Sequence, residues 1–189
     1  MSNKKLFSLK LVILGEKLIG KSPLINDYLS LSKGISQLKN ENYAKISFIK
    51  QLSFPEEFKI QIQVRTFSEK NDKNIMSAIN ESHCALILFD MGSRISVENM
   101  YEEWIFFLRN TCNYKGLVFI FGKHLDEKKL LKTDDEEINE MIKMSEVECG
   151  FYNIADKKPE EINKIIDELI VNSVENAKNN MNKKDCIIF

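Results

Sequence analysis

Eight residues near the N-terminus carry the plainest chemistry in the chain. Gly15-Glu16-Lys17-Leu18-Ile19-Gly20-Lys21-Ser22 has the spacing G-x-x-x-x-G-K-[ST]. An apolar run at 11–14 precedes it, and Leu24, Ile25, Tyr28 and Leu29 follow at helical spacing, so the motif reads as strand, loop and helix. Glycines at 15 and 20 let the backbone curl around an anion, with successive N–H groups pointing inward. The next helix adds the positive end of its dipole. Lys21 is placed to reach the outer phosphates, and the Ser22 hydroxyl to ligate Mg²⁺. Pro23 falls in the first helical turn, where its missing N–H costs little. The motif specifies a polyphosphate and leaves open which nucleotide and which reaction.

The other polar residues carry weaker signals. His83 and His124 have no Cys or carboxylate partner at ligand spacing, so they read as surface or capping residues. Asp134-Asp135-Glu136-Glu137 opens a helical pattern, where negative charge is favourable in any case. Asn80-Glu81-Ser82 matches a glycosylation sequon that has no meaning in a cytosolic chain. Cysteines at 84, 112, 149 and 186 form no C-x-x-C pair. Cys84 lies in an apolar run and reads as a small core residue.

The elements that must position the loop are legible as apolar runs. Strands are expected at 9–14, 44–52, 58–64, 84–89, 117–121 and 150–154, with a hairpin across residues 53–57. Val97, Met100, Tyr101, Trp104, Phe107 and Leu108 share one helical face, with Ser96 as the expected N-cap. Ile162, Ile165, Ile166, Leu169, Ile170 and Val174 repeat the pattern behind Pro159. Thr133 and Glu136 fit a capping box ahead of Ile138, Met141 and Ile142. Strands alternating with helices imply a parallel α/β sheet covered on both faces, the hairpin supplying one antiparallel edge strand.

Length and composition fit this reading. The chain has 189 residues, 43% of them hydrophobic, enough for a single core. Its 27 Lys+Arg against 28 Asp+Glu argue against a nucleic-acid partner, which calls for a basic excess. No apolar run is long enough to span a membrane, and the N-terminus lacks a signal peptide's apolar stretch, so a cytoplasmic protein is expected. Arg65, Arg94 and Arg109 are scattered, unlike the clustered guanidinium groups of nucleotide kinases.

Taken together, the chain resembles the Ras superfamily of small GTPases, nearest in style to Rab and Ras proteins. Ile60-Gln61-Ile62 is similar to the family's third strand. His83-Cys84-Ala85-Leu86-Ile87-Leu88-Phe89-Asp90 looks like its strand ending in Tyr-Asp, and Ser96-Val97-Glu98-Asn99 with Trp104 resembles its S-F-x-N…W helix. Val118-Phe119-Ile120-Phe121-Gly122-Lys123 sits where that family has its N-K-x-D strand and loop. The resemblance implies the P-loop small-GTPase fold: a mostly parallel six-stranded sheet with one antiparallel edge strand and helices on both faces. It implies GTP or GDP with Mg²⁺ as ligands, and effector and regulatory proteins as partners. It places the nucleotide on Gly15, Glu16, Lys17, Leu18, Ile19, Gly20, Lys21, Ser22 and Pro23, with Lys123, Asp126 and Ala155 on the base side.

The departures from the family pattern are specific. Where D-x-x-G-Q belongs, the chain reads Val64-Arg65-Thr66-Phe67-Ser68. Val64 stands for the carboxylate that supports Mg²⁺, Phe67 for the glycine at the γ-phosphate and Ser68 for the water-orienting glutamine. No threonine lies between Ser22 and Thr66, so the first switch threonine is missing. N-K-x-D becomes Gly122-Lys123-His124-Leu125, with Asp126 one place late, and only Ala155 survives of S-A-K. Lys17 and Leu18 stand where the family often has small residues. No catalytic residue is assigned. The expected function is a nucleotide-binding switch in membrane traffic or signalling with weak or absent hydrolysis, the alternative being a pseudo-GTPase interaction module.

Two segments are expected: residues 1–176 as the nucleotide-binding domain and 177–189 as a flexible tail. The tail ends in Cys186-Ile187-Ile188-Phe189, a C-a-a-X box whose final Phe points to geranylgeranylation. One such lipid gives only marginal anchoring, so peripheral attachment to the cytosolic face through Cys186 is expected, with Lys183 and Lys184 as a basic supplement.

Overall fold

The computed structural model describes residues 7–33, 35–42, 45–52, 58–126, 134–145 and 149–185. Among the described residues, seven strands form one sheet in the order β2-β3-β4-β1-β5-β6-β7. They are β1 (Phe7–Leu14), β2 (Ile35–Asn42), β3 (Lys45–Leu52), β4 (Phe58–Phe67), β5 (Cys84–Asp90), β6 (Leu117–Lys123) and β7 (Cys149–Asn153). β1 pairs in parallel with β4 and β5, and β5, β6 and β7 continue in parallel. Of the described strands, β3 alone runs opposite to the rest, pairing antiparallel with both β4 and β2.

The expected hairpin is therefore present as β3–β4, its turn lying outside the described residues. The sheet is one strand wider than the sequence suggested. β2 lies outside β3 and takes the edge, with register irregularities between Ser36 and Leu38 and between Asn40 and Asn42. Its sequence, ISQLKNEN, has no apolar alternation that would reveal a strand.

The helices are α1 (Lys21–Leu31), α2 (Ile75–Asn80), α3 (Arg94–Asn99), α4 (Asp135–Met144) and α5 (Pro159–Asp185). α3 runs without a break into two wider stretches, Met100–Ile105 and Phe107–Thr111. There an N–H reaches five residues back, as from Cys112 to the Phe107 carbonyl at 3.0 Å. Two cores result, one on each face of the sheet. Ile13, Ile62, Leu86, Leu88 and Phe121 pack against α1 and α5 through Ile25, Tyr28, Leu169 and Ile170. Val12, Leu14, Ile87, Phe89 and Ile120 pack against Ile79, Val97, Trp104, Leu108 and Ile138 on the other face. β5 is covered on both sides, Cys84 to Phe89 all being buried, as an interior strand with parallel neighbours should be. Each such fully buried Leu or Ile contributes about 1.5–3 kcal/mol relative to an exposed one.

Local signals moved by a few residues. The N-cap of α3 is Ser93, whose hydroxyl accepts from the Ser96 N–H, rather than Ser96 itself. Asp134 caps α4 by accepting from the Glu137 N–H at 2.9 Å. Thr133, the expected cap, lies outside the described residues. Pro159 opens α5 as expected. That helix carries on through residues 177–185, so the backbone is helical where the sequence suggested a flexible tail.

Candidate functional site

The phosphate loop leaves the C-terminal end of β1, where Leu14 lies between Phe67 of β4 and Ile87 of β5. The carboxyl ends of parallel strands are where open α/β sheets hold their ligands. Gly15 turns at φ 141° with no room for a side chain, since a Cβ would stand 2.3 Å from the Leu88 carbonyl oxygen. Gly20 takes φ 96° directly before α1. Both positions sit where L side chains are strained, which is why the spacing demands glycine. Leu18 also adopts a positive φ, 63°, and its side chain is 95% exposed.

Lys21 is buried. Its ammonium donates to the carbonyls of Gly15 at 2.7 Å and Glu16 at 2.6 Å, which braces the loop from inside. Burial lowers its pKa to about 8, and the neighbouring Glu16 charge opposes that shift. Ser22 is exposed at the first turn of α1, with Pro23 beside it. Lys17, Leu18, Gly20, Lys21, Ser22 and Pro23 form one wall of a cavity of about 890 Å³. The opposite wall is the end of β4 and the loop after it: Thr66, Phe67, Ser68, Glu69, Asn71 and Asp72.

Two expected loop residues face elsewhere. Ile19 is buried in the core beneath α1 and α5. Glu16 turns its carboxylate to α3, accepting from Ser96 Oγ at 2.7 Å and Asn99 Nδ2 at 2.5 Å. Ser96 Oγ in turn accepts from the Asp90 N–H at 3.0 Å. Asp90 Oδ1 accepts from the N–H groups of Gly92 at 2.9 Å and Leu125 at 3.3 Å. A polar chain thus runs from the phosphate loop to the loop after β6, across 80 residues of sequence in its first step.

On the base side, Lys123 lies against the phosphate loop. A Cβ at Gly20 would come within 2.7 Å of its Nζ and 3.9 Å of its Cδ. Leu125 and Asp126 follow as exposed residues. Ala155 donates its N–H to Asn153 Oδ1 at 3.0 Å, and the preceding Ile154 N–H bonds the Gly122 carbonyl at 2.8 Å. β7 therefore brings Ala155 to the loop that carries Lys123. The Nε2 of His124 is buried with no hydrogen-bond partner among the described residues.

Thr66 is the residue that sequence reasoning passed over. β4 extends three residues beyond the expected end at 64, and alternation puts Thr66 on the same face as Val64. Val64 is buried in the core, whereas Thr66 reaches the cavity. The strand thus brings a hydroxyl-bearing residue to the cavity two places beyond Val64, which stands at the family's carboxylate position. The alternation of Val64, Thr66 and Ser68 was the available signal.

The family model described as Ras family matches residues 10–175. The chain belongs to the Ras family. No curated protein matches it. Ras-family proteins are GTP-binding small GTPases, and the loop of this one fits a polyphosphate: both glycines take positive φ, Gly20 directly before α1, and the Lys21 ammonium lies inside the loop on the Gly15 and Glu16 carbonyls. For Mg²⁺, which Ras-family proteins typically bind, the oxygen-bearing residues that line the cavity are Ser22, Thr66, Ser68, Glu69, Asn71 and Asp72, of which Glu69 pairs with Lys17 and Asp72 accepts from the Asn74 N–H. These are hard oxygen donors, as Mg²⁺ requires. Cys186 lies outside the described residues. Among the described residues no helix is long and apolar enough to cross a membrane.

Proposed function

We propose that this Ras-family protein is a nucleotide-binding switch that holds GTP and GDP and hydrolyses GTP slowly or not at all. The observation that carries the reading is the contrast between the two walls of the cavity. The wall at 17–23 keeps the glycine-shaped backbone, Lys21 and Ser22. The wall at 66–72 offers Phe67 and Ser68 where the family's glycine and glutamine act.

Phosphoryl transfer to water is catalysed by positioning and electrostatics. Lys21 and the N-terminus of α1 would supply charge to the phosphate chain, and Ser22, with Thr66, would hold Mg²⁺, which would neutralise the phosphates. Ser68 is too short to replace the glutamine amide that orients the attacking water. Binding survives this loss because backbone N–H groups carry much of it. Lys123 packs beside the loop and supports a base stacked over it. The attachment we propose is a prenyl group on Cys186, which places the protein peripherally on the cytosolic face of a membrane in traffic or signalling.

The test is identification, by mass spectrometry, of nucleotide co-purifying with the native protein, followed by single-turnover hydrolysis. Bound GTP or GDP with turnover far below ordinary small-GTPase rates supports the proposal. Hydrolysis at ordinary rates overturns its catalytic half, and an empty site without measurable affinity favours the interaction-module reading. Cys186→Ser should shift the protein from the membrane fraction to the soluble one; an unchanged distribution removes the anchor.

A further inference from the structure

Glu16 is the acidic residue of the phosphate loop. A carboxylate aimed into an anion site would oppose its ligand by like charge. Here the side chain is taken up by α3 instead. Oε2 accepts from Ser96 Oγ at 2.7 Å and Oε1 from Asn99 Nδ2 at 2.5 Å. The main-chain carbonyl of the same residue accepts from Lys21 Nζ at 2.6 Å. Glu16 is therefore held from both sides, by its backbone to the inside of the loop and by its carboxylate to a helix. Bonds to an ionised carboxylate are the stronger kind.

Ser96 passes the link on. It is 2% exposed, so its hydroxyl has to be satisfied within the fold. A carboxylate only accepts and a backbone N–H only donates. The hydroxyl proton thus goes to Glu16, and the oxygen accepts from the Asp90 N–H at 3.0 Å. Asp90 Oδ1 in turn accepts from the Leu125 N–H at 3.3 Å, and the Met91 N–H donates to the Lys123 carbonyl at 2.8 Å. The start of α3 therefore ties the loop after β1 to the loop after β6. Gly122, at the head of the second loop, has no side chain with which to make that link directly.

We propose that Glu16 and Ser96 are positioning residues that fix the two loops relative to each other. A ligand touching both then meets a preset frame and does not have to order it on binding. The inference rests on the nucleotide-binding reading above, in which one loop serves the phosphates and the other the base. It acts on GDP and GTP alike, whichever way the phosphate chain lies across the cavity.

The experiment measures dissociation of GDP and of a non-hydrolysable GTP analogue, with Mg²⁺, from full-length wild type, Ser96→Ala, Lys123→Met and the double variant. The cap of α3 is kept in Ser96→Ala, because there the Ser93 hydroxyl accepts from the main chain of residue 96. Ser96→Ala should release both nucleotides roughly tenfold faster. Lys123→Met should cost less in that background than in wild type, the sign of coupled sites. If melting shows Ser96→Ala unfolded, Asn99→Ala takes its place in the cycle with the same expectation. Hydrogen exchange at the Leu125 amide should be faster in Glu16→Ala than in wild type, which a role confined to the phosphate loop would not produce. Additive losses in the cycle, or a Leu125 amide that exchanges alike in both proteins, would show the relay wrong and leave nucleotide binding standing. If wild type binds neither nucleotide, the nucleotide-binding reading fails and the proposal with it.

Discussion

The phosphate end and the base end of the site have fared differently in this chain. At the phosphate end both glycines, the buried lysine and the hydroxyl of the motif are in place, with the backbone turned as an anion requires. At the base end Lys123 keeps its position against the loop, but Gly122, Leu125, Ile154 and Asp156 stand where the family's readers of guanine belong. The phosphate end is made chiefly from main chain, so it persists as long as the chain path does. The base end is made from side chains, so each replacement removes one hydrogen bond from the readout. On the nucleotide-binding reading proposed above, affinity would come chiefly from the phosphates and base choice would be weakly enforced.

The contrast can be broken most forcefully at Gly15. Gly15→Ala puts a methyl 2.3 Å from the Leu88 carbonyl oxygen at φ 141°, and should cost about 3 kcal/mol or more. Thermal melts should show it, with nucleotide binding lost. Gly20→Ala meets only the far end of the Lys123 side chain and should cost less; an equal loss would contradict a backbone-built loop.

Next in size is Lys21→Met. Losing its contacts to phosphate should weaken GTP by roughly 100-fold. Lys123→Met, on the base side, should weaken it by less than about tenfold. Calorimetric titration of both variants would refute the contrast if the two losses were equal.

Restoring one reader should sharpen base choice. Leu125→Asp should raise the preference for GTP over ATP by roughly tenfold, since a site that hydrogen-bonds a base rejects one that cannot pair with it. Competition between the two nucleotides on wild type and variant measures this. A wild type that already excludes ATP would show that base choice is enforced by groups other than position 125.

The smallest effect is a proton. Free Lys21 has a pKa of about 8, held down by burial. A polyphosphate favours the charged form and raises that pKa, so binding takes up a proton where the free amine has lost one. Affinity should therefore be flat below about pH 7 and fall as pH rises through 8 and above. Titrations at about pH 8.5 in buffers of different ionisation heat should reveal the uptake.

What the sequence disclosed follows the same division. The phosphate loop was legible because each of its positions demands one residue type. β1, β5 and β6 were legible because strands buried on both faces read as unbroken apolar runs. β2 was hidden by its polar composition, and the end of β4 by three residues whose alternation gives only a weak signal. The capping serine of α3 lies one turn earlier than Ser96, because Ser96 is spent inside the fold between Asp90 and Glu16. The grip of Ser96 and Asn99 on Glu16, and the pairing of Lys17 with Glu69, join residues too far apart in sequence for spacing to announce them. The widening of the helix after Asn99 is equally silent, since the apolar positions from Val97 to Leu108 fit ordinary helical spacing.

The length of α5 changes what a lipid on Cys186 would do. Its 27 residues make a rod of about 40 Å that is packed against the sheet through Leu169, Ile170 and Val174. Residues 177–185 are the last part of that rod, about 13 Å of it, where the same residues drawn out would reach about 30 Å. A protein moored this way stands on a mast rather than swinging on a leash. Its distance from the bilayer and the direction its nucleotide mouth faces are then set by one helix axis, and inserting two or three residues before Cys186 would rotate the mooring point as well as lengthen it.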